Sequence, residues 1–224
     1  MKVWLSVLVT MGCVALAPVR AHAQVNEGDF RLGFDLSLVS FNSARIKADA
    51  PVGDYDRKDN TVGGGTGSPV FGNAGVVLGY AATRHIVPSL YLSFQQLSLK
   101  GEEEEGPAKR KDRKSTRNQL EVRPQLELTL RPGTHFVPYG VLGLSYVRRA
   151  SSAPDTDSFG IGPVLGVGAH AFASSLVSVD FSLTFRALFV NDDDREDALE
   201  ARGLDDVKFR EYAVFFNFGV SFWL

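Results

Sequence analysis

The sequence predicts an all-β fold, an eight-stranded antiparallel up-and-down transmembrane β-barrel. Apolar and polar residues alternate with a period of two along most of the chain, which is the pattern of β-strands. Eight such segments can be placed in the 224 residues, and tight turns alternate with longer polar connections between them. A chain of this length is sufficient for one barrel domain.

Residues 1–23 form a predicted secretory signal. Lys2 precedes an apolar run, and Ala21-His22-Ala23 is a small-residue cleavage site. We therefore expect a mature chain of residues 24–224 that forms one barrel domain. An uncleaved anchor is the less favoured alternative.

The mature chain is slightly acidic and has no cysteine. Removal of Lys2 and Arg20 leaves 22 basic against 26 acidic residues, a net charge of −4. This balance does not favour nucleic-acid binding. The only cysteine, Cys13, leaves with the signal, which excludes disulfides and thiol catalysis.

The alternation is clearest in the first, fourth and seventh segments. In 118–130, leucines and a valine alternate with Gln, Glu, Arg and Thr, while 30–38 and 177–186 alternate in the same way. The eight predicted strands cover residues 28–42, 70–83, 87–100, 116–131, 135–150, 158–173, 176–190 and 209–224.

The second, fifth and sixth strands are rich in glycine, so their facing stays open. Pro124, Pro138 and Pro163 each remove a ladder donor from a predicted strand. A change of phase near Gln95-Gln96 suggests a bulge. The uncharged run 160–177 could be taken for a membrane-spanning helix, but its glycines and its proline favour a strand.

The connections alternate in length. Three short turns lie near 83–85, 131–134 and 174–175. The longer polar connections cover residues 43–69, 101–115, 151–157 and 191–208, and the last is predicted to hold a short helix from about Asp194.

The polar faces carry charges of both signs, which can pair inside a narrow barrel. The apolar faces are deep enough for tilted membrane strands, and one end of the barrel has only short turns. We therefore expect the apolar faces to contact lipid. The predicted interior charge network consists of Arg31, Asp35, Glu121, Arg123, Glu127, Asp180, Arg186 and Glu211.

The final strand, 209–224, is aromatic and apolar. Its outward residues near the C-terminus are Phe216, Phe218, Val220, Phe222 and Leu224. Together, the predicted signal, the eight alternating strands and this final strand make the chain resemble the small bacterial outer-membrane barrels of the OmpA transmembrane domain and OmpX type. The resemblance implies an outer-membrane location and a C-terminal signal that the barrel-assembly machinery reads. Members usually end on Phe, whereas this chain ends on Leu224.

Metal, cofactor and catalytic motifs are weak. His85, His135 and His170 have no second histidine or cysteine at ligand spacing, so neither a metal nor a cofactor is expected. The acidic cluster at 191–197 lacks the spacing of a calcium loop and fits a solvated loop better. The long connections contain no histidine to act as a base, and we expect no enzyme activity.

The expected function is that of a non-enzymatic outer-membrane barrel with a structural or surface-interaction role through its long extracellular loops. A narrow channel for ions or small solutes is the alternative, and a lipid-modifying enzyme is less favoured. The expected partners are outer-membrane lipid, lipopolysaccharide and the assembly machinery, without nucleic acid, and we expect a monomer. Basic residues within 109–114 could meet lipopolysaccharide phosphates, although a solvated loop is the simpler interpretation.

Overall fold

Nearly all of the structure consists of β-strands. The computed structural model describes residues 25–50, 53–63, 74–105, 109–130, 132, 134–151 and 157–224, so the predicted signal at 1–23 lies outside it. In chain order the elements are β1 (Phe30–Ala50), β2 (Gly53–Gly63), β3 (Ala74–Tyr80), β4 (Ile86–Glu105), β5 (Lys109–Thr129), β6 (Phe136–Ser151), β7 (Ser158–Phe172), β8 (Val177–Asn191), α1 (Asp193–Glu200) and β9 (Asp205–Trp223).

The strands form one antiparallel sheet that closes into a ring. Their order is β2-β1-β3-β4-β5-β6-β7-β8-β9, and β1 also pairs with β9. Strand β2 pairs with the second half of β1, from Ser40 onward, while β3 pairs with its first half, from Phe30 to Leu36. Strands β2 and β3 lie on the same side of β1, one after the other along its length. They therefore occupy a single strand position in the ring. The ring is therefore the predicted eight-stranded barrel.

A bulge in β1 changes which side chains point inward. The register against β9 shifts between Ser37 and Val39, which leaves Leu38 as the extra residue. Before the shift Arg31 is buried, and after it the buried side chains are those of even-numbered residues such as Ile46. Two-residue periodicity therefore holds on each side of the bulge, but in opposite phase.

The bulge predicted at Gln95-Gln96 is wrong. The ladder between β4 and β5 passes through Gln95, which lies opposite Gln119, without a register shift. The apolar alternation fades there because β4 continues into a charged hairpin, where alternate positions need not be apolar. The described residues contain no helix long and apolar enough to cross a membrane.

The two ends of the barrel differ. Short connections join β3 to β4, β5 to β6 and β7 to β8 at the turn end. At the other end, the hairpin end, two predicted connections are largely strand: Ala50 pairs with Gly53, and Glu105 pairs with Lys109. The predictions of loops at 43–69 and 101–115 are thus wrong in part, because polar side chains do not prevent strand pairing in water. Helix α1 lies in the predicted place.

Proline interrupts the ladder only locally. Pro124 still pairs with β4, but its pair with β6 is missing, and Pro163 lacks its pair with β8. The register is the same on both sides of each gap, as expected when one donor is lost on one edge.

Large apolar side chains cover the outside, which is the predicted facing. Those exposed on the outer surface include Phe34, Phe94, Leu128, Leu142, Leu165, Val167, Leu183 and Phe189. Two apolar groups lie inside, one at each end. The turn-end seal consists of Val25, Ala81, Val87, Val137, Phe172 and Trp223. The hairpin-end cluster consists of Ile46, Ala48, Val207 and Phe209.

Candidate functional site

The interior between these two apolar groups is polar, and Arg31 lies at its centre. Its Nη1 donates to Glu127 Oε1 at 2.6 Å and to Oε2 at 2.7 Å. Its Nη2 donates to Asp180 Oδ2 at 2.8 Å, and its Nε donates to Ser221 Oγ at 2.8 Å. One guanidinium from β1 therefore joins β5, β8 and β9.

His170, from β7, lies beside the same two carboxylates. Its Nδ1 is 2.8 Å from Asp180 Oδ1, and its Nε2 is 3.4 Å from Glu127 Oε2. The ring stacks on Tyr139 with 4.3 Å between the centroids. We call Arg31, Glu127, His170 and Asp180 the lower network.

Hydroxyl groups complete the coordination of these carboxylates. Ser178 Oγ donates to Asp180 Oδ1 at 2.7 Å, and the Ser221 hydroxyl also donates to Asp180. Ser89 Oγ donates to Glu127 Oε1 at 3.1 Å. Buried charges are tolerated when their remaining hydrogen-bonding positions are filled in this way.

Trp223 covers the lower network from the turn end. Its side chain is 1% exposed, and its Nε1 donates to Ser178 Oγ at 3.0 Å. The guanidinium carbon of Arg31 lies 5.6 Å from the centre of the Trp223 ring system, within cation–π range. The turn-end seal and the lower network are thus in direct contact.

A second group, the middle network, forms around Glu121. Arg186 Nη1 lies 2.6 Å from Glu121 Oε2, Ser145 donates to Oε1 at 2.8 Å, and Arg123 Nη1 lies 3.7 Å from Oε1. Aromatic rings support both cations: Arg123 lies 3.9 Å from the Tyr91 centroid, and Arg186 lies 4.9 Å from that of Phe215. Phe215 faces inward, as its position in the strand pattern requires.

A third contact lies toward the hairpin end. Arg149 Nη1 donates to Glu211 Oε1 at 2.7 Å, and Arg149 Nε donates to Gln119 Oε1 at 3.1 Å. The Glu211 side chain is 30% exposed, so this pair is closer to water than the other two groups.

Seven of the eight sequence-predicted charges lie in these three groups. The remaining one, Asp35, forms no hydrogen bond or ion pair with another described residue. Its carboxylate lies against Gly219, where an added Cβ would be 3.2 Å from Asp35 Cγ. The structure therefore brings Asp35 near the lower network without a direct polar contact.

Sequence reasoning did not include His170 and Arg149 among the interior residues. Both lie on strands whose facing was left open. On β7, Ile161 and Leu165 are exposed and Val164 is buried, which puts the even-numbered His170 inward. The alternation of residues on β7 indicates the inward position of His170, but the glycines on this strand interrupt the apolar pattern by which the outer face is recognised.

The predicted C-terminal signal residues lie on the outer face of β9. Phe216 and Leu224 are exposed, while Phe218, Val220 and Phe222 are half-buried. The ring of Phe218 meets that of Phe181 on β8 edge-on, with 5.2 Å between centroids.

Within the described interior, Ser178 and His170 are not arranged as a nucleophile and its base. Ser178 donates to Asp180 and not to His170, and the free edge of His170 faces Glu127. Nucleophilic catalysis needs a nucleophile paired with its base. The part of the chain that the structure describes holds no group of three or more His, Cys, Asp or Glu side chains placed to bind a metal ion.

A family model described as "Outer membrane protein beta-barrel domain" matches residues 9–221. Comparison with curated protein sequences gives no match.

Three solved structures are similar to this chain at low sequence identity. The outer membrane protein OprG from Pseudomonas aeruginosa is 15% identical, with coverage of 89% of this chain and 98% of that one and a TM-score of 0.49. The outer membrane protease OmpT from Escherichia coli is 10% identical, with 88% and 97% covered and a TM-score of 0.44. Neisserial surface protein A is 14% identical, with 88% and 99% covered and a TM-score of 0.43.

Proposed function

Since the chain belongs to the family of outer membrane protein beta-barrel domains, we propose that it is a non-enzymatic barrel with a closed core. Its role is structural or is exercised through surface interactions of the hairpin end. The observation that carries this proposal is the position of Arg31, whose guanidinium joins Glu127 and Asp180 across the interior.

The closed core is supported by the order of the interior layers. From the turn end, the turn-end seal is followed by the lower network, the middle network, the Arg149–Glu211 pair and the hairpin-end cluster. Eight strands leave an interior that side chains can fill. Ion pairs that span such an interior leave little room for a permanent aqueous path.

The hairpin end offers the surface for interactions. In outer-membrane barrels the short turns are periplasmic and the longer loops are extracellular. The β4–β5 hairpin brings acidic residues of β4 opposite basic residues of β5, with Glu103 opposite Lys111, Glu104 opposite Arg110 and Glu105 opposite Lys109. Cross-strand positions of opposite charge favour a hairpin in this register.

Single-channel recording tests the closed core. The refolded protein is inserted into a planar bilayer beside a variant with Arg31→Gln, which weakens the lower network. We expect no stable open state for the wild type and brief openings for the variant. A reproducible open state of the wild type would reject the closed core.

The narrow channel remains the second candidate, and one observation favours it. The atoms Arg123 Nε, His170 Nε2 and Arg186 Nε are buried without a hydrogen-bond partner. Buried polar atoms of this kind commonly bind ordered water. Water beside these side chains would give ions a path if the ion pairs rearranged, which the same recordings would detect.

A lipid-modifying enzyme is the third candidate. The geometry around His170 argues against it, because Ser178, which shares the Asp180 carboxylate with His170, donates its hydroxyl to that carboxylate and not to the imidazole. Mass spectrometry of lipid A from cells with and without the protein tests this directly. An altered acylation pattern would overturn the non-enzymatic proposal.

We also propose that residues 1–23 are removed on export and that the mature chain is a monomer that contacts lipopolysaccharide. N-terminal sequencing of the outer-membrane form should begin at Gln24. Light scattering of the refolded protein should give the mass of one chain with its bound detergent.

A further inference from the structure

The outer face of the β1–β9 ladder becomes more polar, row by row, toward the hairpin end. The first row is apolar, with Phe41 opposite Val214. The next row pairs Ser43 with Tyr212. Each row lies two residues, or about 7 Å along the strand, beyond the previous one. The outer face thus passes from apolar to amphipathic within one step.

The two rows that follow are cationic on both strands. Arg45 lies opposite Arg210, and Lys47 lies opposite Lys208. On the other side of β1, Lys58 of β2 lies opposite Arg45. We call these five residues the cationic ladder.

The pairing of like charges between β1 and β9 does not stabilise the sheet. Like charges directly opposite each other on neighbouring strands destabilise a sheet. Asp56 forms an ion pair with Arg45, and Asp206 does so with Lys208. Within the described residues, no acid forms an ion pair with Lys47, Lys58 or Arg210. Asp56 also lies opposite Lys47 and attracts Lys58 through its charge. The five cations together with Asp56 and Asp206 therefore leave a net charge of +3 on one outward face.

The inner side of the same strands holds the cationic ladder in place. Ile46 and Ala48 alternate with the cations of β1, and Val207 and Phe209 alternate with those of β9. All four are buried in the hairpin-end cluster. Because these inward side chains fix the facing of both strands, the cations must point outward. Arg210 also lies 5.8 Å from the ring of Phe189, which is 59% exposed on the outer surface.

We propose that the cationic ladder binds the phosphate groups of an anionic lipid of the outer leaflet, whose acyl chains lie on the apolar face below it. A polar layer about 5–7 Å thick covers each side of the hydrocarbon core. The ladder begins about 7 Å beyond the Ser43–Tyr212 row. Tyrosine favours the membrane interface, so the cations lie at headgroup height.

The row above the ladder favours a lipid over a large soluble polyanion. Asp49 lies opposite Asp205 there, and Asp206 follows. A polyanion that approached from the solvent would meet these carboxylates first. A lipid phosphate approaches in the plane of the bilayer and meets the cationic ladder, whose five cations outnumber the one acid within it, Asp56. This site is separate from the closed interior; it rests on the proposed contact with lipopolysaccharide and assigns that contact to named residues.

Lipid titration tests the proposal. Bis-phosphorylated lipid A is titrated into the protein refolded in zwitterionic micelles, and bound lipid is counted by native mass spectrometry. The variant combines Lys47→Gln, Lys58→Gln and Arg210→Gln. Each basic residue near an anionic membrane surface contributes about five-fold to affinity, so we expect about a hundred-fold loss. The matched control is Arg148→Gln, since Arg148 is also outward and basic but lies on β6 beside Asp157.

Two further arms identify the ligand chemistry. Lipid A without its phosphates should bind weakly to both proteins, and inorganic phosphate should not compete at equal concentration. Equal binding of the phosphate-free lipid would overturn the proposal in favour of the apolar face alone. Equal loss in the Arg148→Gln control would overturn it in favour of general surface charge. A gel-mobility difference before and after boiling confirms that each variant is folded. The closed core is tested independently by the planar-bilayer recordings, so either proposal can fail without the other.

Discussion

Arg31 and Glu127 meet across the barrel interior from β1 and β5, two strands that share no ladder. Both side chains are almost wholly buried, at 2% and 1% exposure. Backbone hydrogen bonds fix only neighbouring strands, so side-chain contacts such as this one link opposite walls of the barrel. The interior charges therefore carry information that the strand pairing does not.

Removing the cation at the centre of the lower network should destabilise the barrel strongly. Arg31→Met leaves Glu127 and Asp180 buried without their main partner. Breaking a buried ion pair from one side costs about 3–5 kcal/mol. Urea unfolding in lipid vesicles, followed by the gel shift, measures this loss.

Arg148→Gln is the control for that experiment. Arg148 and Asp157 form an ion pair at 3.8 Å with both side chains more than half exposed. Exposed pairs contribute little, so the unfolding midpoint should stay close to that of the wild type. Equal effects of the two substitutions would contradict a special role for the interior pair.

The imidazole of His170 should matter through its nitrogens and not only through its shape. His170→Phe keeps a ring against Tyr139 but removes the contacts to Asp180 and Glu127. Leaving buried polar groups with fewer partners costs about 1–3 kcal/mol each. The same unfolding assay should show a clear loss for His170→Phe and little change for His135→Phe, whose histidine is exposed at the turn end. A fully stable His170→Phe variant would show that stacking alone suffices.

Trp223 should stabilise the barrel more than its neighbour Phe222. Trp223 is buried in the turn-end seal, whereas Phe222 is half-buried on the outer face. Replacing a large buried aromatic residue with alanine costs about 3–5 kcal/mol. Refolding in vesicles without assembly factors compares Trp223→Ala with Phe222→Ala. A larger loss for Phe222→Ala would argue against an inner seal.

The β1–β2 hairpin should respond to acid through Asp56. The hydrogen bond from Arg45 Nε, at 2.8 Å, lowers the pKa of the Asp56 carboxyl below its ordinary value. A lowered folded pKa means that the contact stabilises the hairpin above the unfolded pKa and is lost as the pH falls through the folded one. Carbon NMR of the carboxyl group follows this titration.

Variants identify the cause of that shift. Arg45→Gln should raise the Asp56 midpoint toward the ordinary value, because the hydrogen bond is the largest cause. Lys58→Gln should raise it less, since Lys58 acts only through its charge. An equal shift in the two variants would assign the effect to general charge and not to the hydrogen bond.

The predicted C-terminal assembly signal should affect how much protein is assembled in cells and not the stability of the folded barrel. Phe218→Ser with Phe222→Ser should lower the amount of heat-modifiable protein in the outer membrane. Phe181→Ser on β8 is the matched control, because Phe181 contacts Phe218 on the same outer face. An equal reduction by the control would indicate a general packing effect.

Alternation alone located the barrel strands, and it also gave the facing of β1, β5, β8 and β9. Each has lipid on one side and a narrow polar interior on the other. A register shift of one residue would turn its apolar side chains inward and its charges toward lipid, so the pattern must be strict. It could not locate the hairpins beyond the membrane. There both faces meet water, and strands such as β2 look like loops in sequence. The bulge at Leu38 was missed for a similar reason, because neighbours along the strand do not reveal one extra unpaired residue.

The sequence by itself determined the fold class, the outward apolar surface and most of the interior charges, because a period of two is visible in local residue order. Only the tertiary structure decided which charges meet. Arg31 joins Glu127 and Asp180, which are 96 and 149 residues away. His170 enters the same group, while Asp35 stays without a polar partner there. The cationic ladder likewise depends on register, because Arg45 and Arg210 become neighbours only when β1 and β9 close the ring.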